Sequence, residues 1–529
     1  MPKQSPQSAI VVWYKRDLRV LDHAPLAFAA KQNLPVLPLY IAEPSFLRSK
    51  TYDSAHWTFT LQSLNALRDS LTKLGQPLVI RVGEAIQVLN ALKRQINIAQ
   101  IVAHEETTDL KGYARDRAVR EWAQTRSIPL REFPNNGVVR GLKDREFWEG
   151  MRNERMAMPV IPVPEALRPV PSSVRAGRLP DHQQLRLARD KRTIQKGGEA
   201  ESKAILESFL NWRGANYIVD MSSPAAGAEA CSRLSPHLAF GTISMKTAVH
   251  AVRNQLKQLN HMDGQERERM GGRWIGSLRA FKSRLAWRDH FMQKIEMQPD
   301  IETENLVRSY DGLRPDGSSG IPLERLEAWR VGKTGFPMVD ACMRSLNQTG
   351  WLNFRMRAML VSFAAHDLWL DWRAFAPHLA KGFLDYEPGI HYAQIQMQSG
   401  TAGNKTLRVY DPLKQGQDHD PQGEFVRKWL PELEGVPNSF VHAPHLMPRD
   451  MQIKVGCVVG KDYPAPLVDH KKAATQAKSR ITMVRHDPIA EEELDVVRKM
   501  HGSRRSQQLA QKKRPEPKNN EGGEQLTLF

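Results

Sequence analysis

Four short apolar runs stand out near the start of the chain, at residues 9–14 (AIVVWY), 36–41 (VLPLYI), 78–82 (LVIRV) and 100–104 (QIVAH). Stretches with helix-like spacing separate them, at about 54–75, 84–96 and 111–125. Strand-length runs alternating with helix-length stretches predict a parallel α/β sheet, a Rossmann-like domain over residues 1–140. No G-x-G-x-x-G follows the first run, so this fold by itself supplies no dinucleotide site. Residues 159–198 are rich in Pro, Arg and polar residues (PVIPVPEALRPVPSSVRAGRLPDHQQ) and have no regular period, which places a connector within 141–198. Beyond it apolar residues recur at spacings of three and four, as in LVSFAAHDLWLDW, and predict an all-helical domain over 199–470. Residues 471–529 read as a basic, largely disordered tail, polar and rich in Pro, Lys, Asn and Gly past about Arg504.

Charge narrows the class of partner. The 529 residues carry a formal net charge of +18, and residues 471–529 hold 13 basic and 8 acidic side chains, so only +5 belongs to the tail. The folded body therefore presents a field that attracts polyanions, nucleic acid first among them. Three dispersed cysteines, Cys231, Cys342 and Cys457, are too few for a four-thiolate metal centre and suit a reducing compartment. The first ten residues have no apolar signal core, and no apolar run is long enough to span a bilayer, so a cytoplasmic protein without a membrane partner is expected. Gly332-Lys333-Thr334 ends like a P-loop, but Glu327 stands where its first glycine is needed. His104-Glu105 lacks the second histidine of a zinc-protease helix, and no metal site is expected.

The segment at 231–244, CSRLSPHLAFGTIS, combines hydroxyl side chains and an arginine with a helix start. That chemistry can hold a diphosphate, and equally can be an N-cap followed by an ordinary turn. The segment resembles the flavin-clasp motif of the DNA photolyase and cryptochrome family. Four further segments carry the same resemblance in the same order: 11–26 (VVWYKRDLRVLDHAPL), 328–351 (AWRVGKTGFPMVDACMRSLNQTGW), 366–373 (HDLWLDWR) and 409–433 (VYDPLKQGQDHDPQGEFVRKWLPEL). The likeness runs from about residue 10 to 466, omitting the connector.

The resemblance implies flavin adenine dinucleotide (FAD) folded within the helical domain, held by Tyr217 and by Cys231, Ser232, Arg233, Leu234 and Ser235. Cys231 replaces the family's usual Thr or Ser. Arg288, Tyr386 and Glu387 would also border the cofactor, Glu387 standing where an Asp usually reads the ring's polar edge. Arg357 and Asp385 would pair beside the ring, where an arginine can stabilise the reduced flavin's charge, or would form a purely structural salt bridge. DNA would be met by Arg284, Trp287, Arg288, Phe354, Arg355, Met397 and Gln415, with an aromatic face stacking an extruded base and arginines on phosphates. Light absorbed by reduced flavin would then send an electron into a damaged pyrimidine pair and recover it.

Several positions depart from the family pattern. Arg284 replaces a glutamate that accepts hydrogen bonds from the lesion, and arginine has no acceptor. Phe354 replaces an asparagine, and Met397 falls where a lesion-stacking tryptophan is common. Of three tryptophans that usually relay an electron to the flavin, the innermost falls on Ile395 and only Trp372 is retained. Trp369, three residues away on the expected helix, or Tyr386 and Tyr392, would offer another route. His391 stands at a usual Asn near the flavin's reactive nitrogen, where it would tune protonation unless it is packed and neutral.

The resemblance thus implies a deoxyribodipyrimidine photolyase-type lyase, with a cryptochrome-like photoreceptor as the alternative. A light-independent nucleic-acid binder with a structural flavin follows them, then a nucleotide-dependent enzyme centred on the N-terminal domain. A second, light-harvesting chromophore, folate or deazaflavin, is compatible with the family, but the residues around Glu105 and Glu106 identify neither. The terminal Gln525, Leu526, Thr527, Leu528 and Phe529 resemble the QLxLF peptide with which bacterial proteins bind the sliding clamp, or form a plain apolar terminus.

Overall fold

The structure is a computed structural model that describes residues 7–190, 192–403 and 407–502. Its N-terminal part is a five-stranded parallel sheet: β1 (Ser8–Tyr14), β2 (Val36–Ala42), β3 (Val79–Val82), β4 (Asn97–His104) and β5 (Leu130–Phe133), ordered β3-β2-β1-β4-β5. Side chains alternate across a strand, and β1 shows both outcomes. Ala9, Val11 and Trp13 pack under one helix layer with Leu89, Leu92, Val119 and Trp122, while Ile10, Val12 and Tyr14 join Trp57, Leu64 and Leu71 on the other. Burial on both faces explains the unbroken apolar runs.

One strand carries no such run, and one short helix stands outside the predicted elements. The strand LREF (β5) sits at the sheet edge, and no residue in it is fully buried. Helix Ala24–Ala30 starts from His23, whose ring accepts from the Leu26 amide.

The connector is mostly extended and wraps the α/β domain, donating from Leu167 to the Leu74 carbonyl and accepting at Ala176 from the Ile80 amide. Its first part departs from the sequence reading: Trp148–Ala157 is a helix that buries Trp148, Arg152 and Met156.

The helical domain packs around Trp329, Phe363, Trp372 and Phe375. The tail expected from residue 471 is corrected over its first part. His470–Arg485 and Pro488–His501 are helices, capped by Asp469 and Asp487. Ile481 and Leu494 lock onto Val307 and Tyr310 with Val484 and Val497 packed against them, while Met483, Ile489 and Val496 stay exposed.

The two domains meet closely at one turn. The Leu18 amide donates to the Phe240 carbonyl (3.2 Å) and Arg19 Nη1 to the Gly241 carbonyl (3.0 Å). Gly241 has φ +68°, and a Cβ there would lie 2.2 Å from the Arg16 carbonyl oxygen, so glycine is required twice over, by conformation and by space.

Candidate functional site

The 231–235 segment forms a loop that leads into the short helix Ser235–Ala239. Arg233 holds a left-handed backbone (φ 59°), strained for a non-glycine residue, and its guanidinium lies 4.2 Å from the Trp351 ring centroid. Its Nε is buried without a protein partner, while Gln195 donates to its carbonyl at 2.8 Å. Arg213, which motif matching passes over, pins the loop by donating to the carbonyls of Glu229 (2.7 Å), Cys231 (2.7 Å) and Ser232 (3.3 Å). Burial pushes the Cys231 thiol up to about 11, so it is a neutral group rather than a thiolate.

Arg357 and Asp385 form a two-pronged ion pair, 2.9 Å at each prong, and Arg357 Nε also donates to the Leu352 carbonyl. Burial alone would raise the Asp385 pKa. The Arg357 charge and the Ser235 hydroxyl instead hold it below the usual carboxylate range. Glu387 is met by Arg288 at 2.6 Å and by Arg16 at 3.5 Å. Arg16 comes from the α/β domain and also donates to the carbonyls of Ala239 and Tyr386, so the first domain builds part of the second domain's site. The run KRDLR after β1 is the only sequence signal for this role, and it says nothing of the partners.

His391 packs between Tyr386 and Tyr392, each 5.1 Å away, and bonds through Nε2 to the Ala376 carbonyl. Burial, together with the Arg357 charge, lowers its pKa to about 4, so the ring is packed and neutral near pH 7. Trp372 lies 6.0 Å from Tyr392 and donates to Asn305, giving an aromatic series of Trp372, Tyr392, His391 and Tyr386 beside the buried Ile395. The shared helical face expected for Trp369 and Trp372 is not formed. A π-helical turn, Phe363–Asp367, ends the preceding helix, Trp369 turns the chain with φ +55°, and a new helix begins at Trp372. The Trp369 ring lies instead between Arg314 and Arg480.

Of the residues expected to meet DNA, three assemble at the surface. Trp287 and Phe354 are 39% and 45% exposed, large values for such side chains, and the Arg284 guanidinium sits 4.7 Å and 5.8 Å from their ring centroids. Arg284 also lies beside the buried Tyr217 hydroxyl and so links this patch to the clasp loop. Arg355 is half-buried, with an unpaired Nε. Met397 packs against the helical core, and Gln415 is buried with its amide oxygen unpaired.

One buried cluster has metal-like spacing. Asp17 Oδ2 lies 3.0 Å from His23 Nε2 and 2.7 Å from His104 Nδ1. Because His23 Nδ1 accepts from the Leu26 amide, its Nε2 carries the proton and donates to Asp17. The cluster is therefore a hydrogen-bonded brace between the turn after β1 and the end of β4.

The donor set suits a large anionic cofactor with a polar ring. Ser232, Ser235 and the unpaired Arg233 Nε can serve a diphosphate, and the Arg357 and Asp385 pair offers a cation and an ionised acceptor side by side.

The comparisons agree with this reading. Residues 281–483 match the family described as the FAD binding domain of DNA photolyase, and residues 10–142 match DNA photolyase. The deoxyribodipyrimidine photo-lyase of Streptomyces griseus is 30% identical over 88% of this chain and 97% of its own length. The cryptochrome DASH of Gloeobacter violaceus is 29% identical over 87% and 93%. A crystal structure of a bacterial class III photolyase from Agrobacterium tumefaciens superposes with a TM-score of 0.77 at 27% identity, covering 92% of this chain and 99% of that one. Fold and site define a two-domain flavoprotein in which an α/β domain braces a helical FAD-binding domain. The chain belongs to the DNA photolyase and cryptochrome family.

Proposed function

We propose that this protein is a light-driven, FAD-dependent lyase that repairs UV-induced pyrimidine lesions in DNA. The observation that carries the reading is the surface trio of Arg284, Trp287 and Phe354, in which Phe354 opens the helix that bears Arg357 and Arg284 lies beside Tyr217. Bound and reduced, FAD would supply one electron to the lesion under blue light and take it back. Trp287 and Phe354 offer stacking faces for an extruded base pair, and Arg284 offers donors to pyrimidine carbonyl oxygens or a flanking phosphate. Arg357 and Asp385 would hold the isoalloxazine ring, with Glu387 at its polar edge. Ser232, Arg233 and Ser235 would hold the diphosphate.

The deciding experiment uses defined oligonucleotides that carry either a cyclobutane dimer or a (6-4) product, with the flavin reduced beforehand. Blue-light restoration of either one supports the lyase and names its substrate. Failure on both, with flavin retained, favours the cryptochrome-like photoreceptor. That second reading draws on one observation: Arg284 and Phe354 provide no acceptor at the lesion face.

Two finer proposals accompany the lyase. For a light-harvesting chromophore we consider the interdomain cleft lined by Lys15 and Glu106, which also borders Arg288 and Glu387. The free space there is about 30 Å³, room for a water rather than a folate, so the cleft must open to admit one. The clamp peptide, Gln525 to Phe529, lies outside the described residues. A clamp pull-down with Gln525→Ala and Phe529→Ala tests it, and unchanged capture removes it.

A further inference from the structure

A second cleft, of about 530 Å³, lies away from the flavin residues, between helices Met245–His261 and Trp274–Met297 and the end of helix Trp148–Ala157. Its polar lining is His250, Arg253, Asn254, Lys257, Asn260 and Lys282, with Ala157 and Leu256 supplying aliphatic wall, and it contains no carboxylate.

The cleft is held in shape from one side. His250 Nε2 and Arg253 Nη1 both bond the Met156 carbonyl, at 3.1 Å and 2.8 Å, and so tie the long helix to the connector. The rest of the Arg253 guanidinium has no hydrogen bond to a described residue. Lys257 and Lys282 are exposed and stand in no ion pair among the described residues, whereas Lys246, earlier on the same helix as Lys257, is committed to Asp22 at 2.8 Å. Three cations and two amides thus line one cleft, with no carboxylate among its described lining residues, in a body that carries most of a +18 net charge.

The cleft does not continue the lesion face. At about 100° per residue, Lys282 stands roughly 160° around its helix from Arg284 and about 140° from Trp287. A volume of 530 Å³ exceeds what a single phosphate ion fills and matches a nucleotide-sized unit. Cations and amides suit phosphodiester oxygens, and the aliphatic wall suits a sugar edge.

We propose that this cleft is a second nucleic-acid track, which grips the phosphodiester backbone of a strand outside the footprint of the lesion. It acts without light and without regard to sequence. It adds affinity and leaves the choice of lesion to the flavin face.

The test uses the intact flavoprotein in darkness with undamaged single- and double-stranded oligonucleotides, titrated across a salt series. Because no lesion is present, failure here is distinct from failure of the repair reading. Lys257→Ala/Lys282→Ala should lower the slope of log K against log salt by roughly 1.4–1.8, two phosphate contacts' worth. Lys93→Ala/Arg94→Ala removes the same charge from another exposed site and should leave the slope unchanged. Unaltered flavin absorbance confirms that both variants are folded. An unchanged slope in the cleft variant, or an equal loss in the control, overturns the proposal. So does calorimetric saturation by pyrophosphate that depends on Lys257 and Lys282 while DNA binding does not, because the cleft would then serve a small free phosphate.

Discussion

Replacing Gly241 with alanine should loosen the contact between the two domains more than any single surface change. The added methyl would lie 2.2 Å from the Arg16 carbonyl oxygen and 2.4 Å from the Asp17 Cα, both backbone atoms of the other domain. Ordinary contact needs about 3.5 Å, so the turn must retreat by more than about 1 Å. That retreat weakens the bond from Leu18 to Phe240, worth about 1 kcal/mol net, and the bond from Arg19 to Gly241, worth about 2. Holding alanine at positive φ costs about 1–2 kcal/mol more, for a total of about 4–5 kcal/mol. Gly141→Ala is the control: it also has positive φ (+75°), but its Cβ would meet nothing within 4 Å, so only the conformational part applies. The readouts are the urea midpoint for flavin release and the rate of proteolytic cleavage in the connector. A Gly241→Ala protein no weaker than Gly141→Ala would refute the argument.

Four further outcomes follow from the site and its surroundings. Trp287→Ala should keep the flavin yet raise the Kd for lesion DNA roughly five- to 150-fold, the loss of one base-stacking contact; gel shift reads it. Arg357→Ala leaves Asp385 as a buried, unpaired carboxylate at a cost of about 3 kcal/mol, so the purified protein should carry less flavin per chain by absorbance. His391→Asn should leave the pH profile of flavin photoreduction unaltered between pH 6 and 8, because the histidine is already neutral there. Burial would lower the His470 pKa, but its hydrogen bond to Asp367 and the charges of Asp367 and Asp411 raise it, so its stabilisation is full at low pH and fades as pH climbs through the raised value. Burial lifts Asp367 to about 6, so its own change overlaps only the lower edge of that window and is largely over by about pH 7. Hydrogen-exchange protection of helix His470–Arg485 should therefore fall from about pH 6.5 upward, and His470→Gln should flatten the trend.

Legibility varied with how local each signal was. β1 to β4 announced themselves because burial on both faces demands an unbroken apolar run, whereas LREF at the sheet edge demands none. The family resemblance set Arg357 beside Asp385, and the two do form an ion pair, because a motif carried in local order can be matched along the chain. It had no access to Arg213 or Arg16, whose roles lie in carbonyls contributed by distant segments. Helices 470–501 were hidden by abundant charge, although Ile481 and Leu494 carried the necessary apolar face. Trp369 was misplaced because a helical period was extended across a π-turn and a left-handed residue that nothing in the local composition forces.

Arg16 also imposes an order of assembly. Its bonds reach Ala239 and Tyr386, which are 223 and 370 positions further along the chain. At about 5–20 residues per second, the ribosome delivers Tyr386 roughly 20–75 s after Arg16. The sheet is complete by residue 133 and can form early, but its turn after β1 must wait with Arg16 unpaired until the clasp loop and then the Tyr386 turn emerge. Under the proposed function, flavin capture then falls late in synthesis, and a chain stalled before residue 385 would hold the complete sheet without the Asp385 to Glu387 turn proposed to border the cofactor.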